Sequence, residues 1–111
     1  MAKAEYWQRG ESIDFTNAGE KDIKENEIVV FGEHVGVAGT TIEKGETGSL
    51  MVTSVFDFPK DNAAIGAGVS VYFIPGTEKA SATKGSTGVL AGYAVQAAAA
   101  EDTTVKVKLL G

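Results

Sequence analysis

Fourteen glycines cut this chain of 111 residues into short runs, and the runs are rich in Val, Ile, Phe, Tyr and Thr. Those residues fit a pleated surface, and no stretch keeps the apolar period of an amphipathic helix. The sequence therefore predicts an all-β fold, a small single-domain β-barrel or sandwich of about seven to eight short, mainly antiparallel strands. Strands are expected at Ser12–Thr16, Glu27–Phe31, His34–Ala38, Gly48–Phe56, Ser70–Ile74, Lys79–Ala82, Val89–Gln96 and Thr103–Leu109. Gly32-Glu33, a two-residue link between apolar runs, reads as a hairpin turn, because glycine takes positive φ at little cost. Asn17-Ala18-Gly19 and Pro75-Gly76 read as further turns.

The closing run TTVKVKLL alternates Val105, Val107 and Leu109 with Lys106 and Lys108, so one face is buried and the other wet. Its lysines discourage edge pairing if the strand is terminal. One stretch, Val95–Asp102 with its four consecutive alanines, has the propensity for a helix of about two turns and equally for a turn after the preceding strand. The least regular segment is Val55 to Phe73. It starts with Val55 and Asp57 on one side and Phe56 and Phe58 on the other, and Pro59 then removes a ladder donor. A small-residue loop with Gly66 and Gly68 follows before the next apolar run, and Phe56, Phe58, Tyr72 and Phe73 read as core or interface aromatics.

The length suits one domain, divided here into an N-terminal arm, residues 1–10, and a β-domain, residues 11–111. So small a domain keeps a high surface-to-volume ratio and gains from burying surface in an oligomer. With no cysteine, disulfides, thiolate metal sites and cysteine nucleophiles are excluded. No apolar run approaches the roughly 18 residues of a membrane span, and the polar start lacks a signal-peptide core, so a soluble protein made in a cytoplasm is expected. Residues 1–33 hold eight acidic and four basic residues, and the only arginine is Arg9. A nucleic-acid binder needs the opposite balance.

Candidates for chemistry are few. His34, the only histidine, sits at the Gly32-Glu33 turn, where a solvated position is expected rather than a catalytic one. Glu20, Asp22, Glu25 and Glu27 read as a hydrated loop without the spacing of a calcium site. Gly66-Ala67-Gly68 leads into a strand, where a dinucleotide loop must lead into a helix, and Thr83-Lys84-Gly85-Ser86 lacks the order of a phosphate loop. No enzyme, cofactor or metal is expected.

The blocks KAEYWQRGESIDFT, VVFGEHVGVA, VFDFPK, VSVYF and TGVLAGYAVQAAAAEDTTVKVKLLG together resemble the small capsid cement, or decoration, proteins of tailed bacteriophages. The acidic insert Gly19–Glu27 departs from that pattern. The resemblance implies a structural virion protein made in the bacterial host cytoplasm. It implies binding to the major capsid protein on the outside of the expanded head, as a homotrimer, with no nucleic acid or membrane as partner. A tail- or adaptor-associated β module is the alternative reading. On this view Tyr6, Trp7, Gln8 and Arg9 are expected to anchor the capsid, since large amphipathic side chains suit interfaces. Contact between copies is expected at Phe58, Pro59, Lys60 and Ile65, beside the loop from Asp61 to Gly68.

Overall fold

The computed structural model describes residues 2–8 and 10–110. Among them run nine strands: β1 (Ser12–Thr16), β2 (Ile28–Phe31), β3 (His34–Ala38), β4 (Thr47–Met51), β5 (Val55–Pro59), β6 (Ser70–Ile74), β7 (Lys79–Ser81), β8 (Val89–Ala94) and β9 (Thr104–Leu109). They form a four-stranded sheet in the order β1-β4-β3-β2 and a five-stranded sheet in the order β5-β9-β8-β6-β7. Every neighbouring pair is antiparallel. The all-β reading holds, and the expected hairpin is there: Phe31 faces His34 across Gly32-Glu33, with Gly32 at φ 60.

Two expectations need correction. The single strand expected at Gly48–Phe56 is two, β4 and β5, which lie in different sheets. Between them Ser54 takes φ 87, a left-handed turn that redirects the chain at the crossover. The alanine run forms no helix. Val95 N donates to Lys106 O, and Ala98 and Ile65 exchange both backbone bonds, at 2.8 and 2.9 Å. Groups that a helix would pair within itself are thus taken by neighbouring segments.

The main core lies between the sheets. Phe58, Val71, Phe73, Ala91, Ala94, Val105, Val107 and Leu109 come from the five-stranded sheet, and Val35 and Val37 come from β3. Alternation works as the sequence implied on β5, where Phe58 is buried and Val55 and Asp57 are exposed, and on β9, where Lys106 and Lys108 are exposed. Pro59 closes β5, an edge strand, where a missing ladder donor is tolerated.

The four-stranded sheet makes a second, smaller core on its other face. Pairing places Ile13, Phe15, Gly48, Leu50, Ala38, Gly36, Val29 and Phe31 on that face. Phe15 and Phe31 stand on opposite edge strands, yet their rings meet edge to face at 5.8 Å. The sheet therefore curls until its edges approach. Small residues allow it: a Cβ on Gly36 would lie 2.7 Å from Leu50 Cγ, and one on Gly48 would lie 2.5 Å from Ile42 Cγ1. Ile42 is itself held by two backbone bonds to Ile23.

Gly92 provides a direct test of strand packing. A Cβ there would fall 1.8 Å from the carbonyl oxygen of Lys108 on β9, whereas one on Gly76 would meet nothing within 4 Å. In urea unfolding, Gly92→Ala is expected to lose at least about 3 kcal/mol, the upper part of the overpacking range. Gly76→Ala should change stability by less than about 0.5 kcal/mol.

Candidate functional site

Among the described residues, the most exposed large hydrophobic side chains are in the arm. Tyr6 is 83% and Trp7 85% exposed, Gln8 is exposed, and none of the arm's described residues belongs to a strand. Arg9, the fourth residue expected to anchor the capsid, lies outside the described residues. Backbone pairing to the domain starts where Val52 N donates to Glu11 O. Aromatic anchors dominate binding energies where a partner covers them.

The four positions expected to touch another copy are arranged differently. Phe58 and Ile65 are each 1% exposed and belong to the main core, and Lys60 is 4% exposed. Only Pro59 presents its side chain to solvent. Any contact between copies at this end of the molecule falls to Pro59 and the exposed loop residues 62–64 and 66–68, not to the side chains of Phe58, Lys60 or Ile65.

Lys60 has a role the sequence did not reveal. Its Nζ donates to the carbonyl oxygens of Asp61 (2.9 Å), Ala99 (3.0 Å), Asp102 (3.2 Å) and Ala100 (3.4 Å). Its backbone N donates to Thr103 O, and the Asp102 carboxylate accepts from Ala99 N at 2.8 Å. A buried ammonium inside a ring of carbonyls thus holds the alanine turn against the end of β5. Buried charge is tolerated only when its donors are met, and here they are. No lysine-specific spacing in the sequence could signal this, because three of the four carbonyls belong to residues about forty positions away.

The remaining candidates shape the chain. His34 is exposed at the start of β3. Asp22 accepts from Lys44 N and Glu27 from Lys24 N, so these two carboxylates brace turns. Among the described residues no group of three or more His, Asp or Glu is gathered for a metal ion. Gly68 N donates to Ala94 O and Gly88 N to Lys84 O, so both glycine loops turn amides onto their own chain. Shallow clefts exist, one of about 390 Å³ beside Tyr72, Lys84, Val89 and Leu90, and one of about 130 Å³ beside His34, Leu90 and Leu110.

Residues 7–109 match a family model described as phage cement protein. No curated protein and no solved structure matches the chain. The matched span starts at Trp7 and ends at Leu109, so it takes in both sheets and the inner part of the arm.

The Lys60 ring has its own test. Lys60→Met keeps most of the stem and removes the ammonium, leaving the carbonyls of Ala99, Ala100 and Asp102 without that donor. Stability should fall by about 1.5–3 kcal/mol, the scale of hydrogen bonds made by a charged group. Amide hydrogen exchange should speed up in residues 97–103 before it does in β8 or β9.

Proposed function

The chain belongs to the phage cement protein family, structural proteins of the phage capsid, and from that membership we propose that it binds the outer surface of the expanded head and stabilises the lattice there without catalysing a reaction. The partner is the major capsid protein, engaged by copies of this chain assembled as homotrimers. The observation that carries the reading is the arm: Tyr6 and Trp7 stand in water at 83% and 85% exposure on a segment outside both sheets. Residues placed so are costly to a free monomer's solubility and useful only where another surface covers them.

A ligand that engages only one form of a lattice stabilises that form by mass action. Repetition over a symmetric shell multiplies modest contacts, because each arm tethered to a docked domain binds at high effective concentration. The domain suits such a passive part. Two cores and a buried lysine tie fix its shape, so little ordering entropy is lost on docking except in the arm itself.

Removing residues 1–9 should leave the domain folded, with the unfolding midpoint nearly unchanged, because among the described residues no strand begins before Ser12. Co-sedimentation with expanded, decoration-free heads should weaken at least about tenfold, and Trp7→Ala alone should cost about 2 kcal/mol of binding. Undiminished binding by the truncated protein would remove the arm from the interface. Binding to tails instead of heads would replace the cement reading with that of a tail or adaptor module.

A further inference from the structure

The block VFDFPK ends in the buried Lys60, and the place of that lysine in the sheet gives it a second part. The five-stranded sheet has β5 and β7 as its edges. Each step across it reverses direction, so after four antiparallel steps the two edges run the same way. They meet: Lys60 and Ala80 form a parallel bridge, and Asp61 N donates to Ala80 O at 3.0 Å. At this end the sheet closes on itself into a small barrel with one parallel seam, and closure is what removes free strand edges.

The seam is short, because β7 has three residues and the bridge stands just past Pro59, which has no amide to give. What borders it is thinly packed. From Val95 to Thr104 only Ala98 is buried. Two clefts border that turn, one of about 270 Å³ beside Gln96 and Thr104 and one of about 480 Å³ beside Asn62 and Lys79. Besides the Ala98–Ile65 pair, the turn is tied to the seam through Lys60, whose backbone N donates to Thr103 O and whose Nζ donates to the carbonyls of Ala99, Ala100 and Asp102. Polar bonds at one residue, rather than buried apolar area, hold this end of the barrel.

Those bonds need the ammonium. The oxygens at Nζ belong to the main chain, while the nearby carboxylates are turned to amides, that of Asp61 to Ala63 N and that of Asp102 to Ala99 N. An ammonium brings three donors to such a ring and no acceptor, which no neutral side chain matches. Every other lysine of the chain is exposed. Segments with few buried apolar contacts are the ones that open locally while the rest of a domain stays folded.

We infer that Lys60 is the latch of the barrel: its ammonium couples the 97–103 turn to the β5–β7 seam, so that both open as one unit, ahead of the rest of the domain, when the ammonium leaves its ring. Opening unpairs the ends of β5 and β7, and unpaired edges are templates for pairing with another chain. The latch therefore also guards the closed domain against edge-to-edge association. None of this depends on what the domain binds, so it stands or falls apart from the cement reading.

The test follows acetylation of the full chain by an N-hydroxysuccinimide ester, read at each lysine by mass spectrometry, with amide hydrogen exchange beside it. Lys60 should acetylate at least about a hundredfold more slowly than the exposed Lys79. In urea below the unfolding midpoint its rate should rise in step with exchange at Asp61 and Ala98 while β8 stays protected. Asp102→Ala, at an exposed position, removes the acceptor of Ala99 N and leaves Lys60 in place. It should speed Lys60 acetylation and Asp61 exchange together, by at least about threefold, with the unfolding midpoint nearly unchanged. Lys60→Met should speed Asp61 exchange at least about tenfold and add concentration-dependent species larger than the unmodified protein in sedimentation. Lys60 as reactive as Lys79, Lys60 and Asp61 opening only when β8 does, or Asp102→Ala speeding one without the other overturns the latch. A variant that opens at Asp61 yet keeps the unmodified protein's mass at every concentration overturns the guarding of the edges. If Lys60→Met does not fold, Asp102→Ala takes its place in the sedimentation comparison, with the same two outcomes.

Discussion

The structure depends on β3 being buried on both faces. Val35 and Val37 point into the core shared with the five-stranded sheet, and Gly36 and Ala38 point into the smaller core inside the curled sheet. A strand with two buried faces must be apolar or small at every position but its ends, and from Val35 to Ala38 it is. Gly36 carries the tightest part of this constraint, because Leu50 occupies the space where a side chain would stand. Both cores meet at this strand, so losing it would leave neither sheet with a complete interior.

From that constraint follows the division of labour between surface and interior. Apolar residues that the two cores consume, Phe58 and Ile65 among them, are unavailable to a partner. What the cores leave exposed includes the arm with Tyr6 and Trp7, and Leu90 and Tyr93 on β8. A capsid protein of the proposed kind needs little else. It needs a rigid body, which packing and the Lys60 ring supply, and exposed groups whose burial is favourable only against the right surface.

Much of the fold was legible because β-structure writes itself in alternation. Val105, Lys106, Val107, Lys108 and Leu109 declare their faces, as do Val55 to Phe58, and Gly32-Glu33 declares its turn. The boundary between β4 and β5 was not legible. Val52-Thr53-Ser54 has no glycine or proline to mark a break, and the left-handed turn falls on a serine. Ala97–Ala100 misled in the other direction, since helix propensity is a weak preference that pairing of Ala98 with Ile65 overrides. For the candidate site, exposed aromatics on a segment with few apolar neighbours could be read from residue types. The burial of Lys60 and Ile65 could not, because burial is a property of what lies opposite.

By itself the sequence determined the class of fold, most strand positions, the hairpin, the faces of β5 and β9, the excess of acid in the first third, and the resemblance to a capsid protein. Each of these is a local or compositional property, carried by neighbours along the chain. Only the tertiary structure decided that one apolar run feeds two sheets and that Lys60 clasps carbonyls about forty residues away. The physical reason is the same in every case: these features are made by contacts between segments distant in sequence, and no residue carries in its own identity the chain that will pack against it.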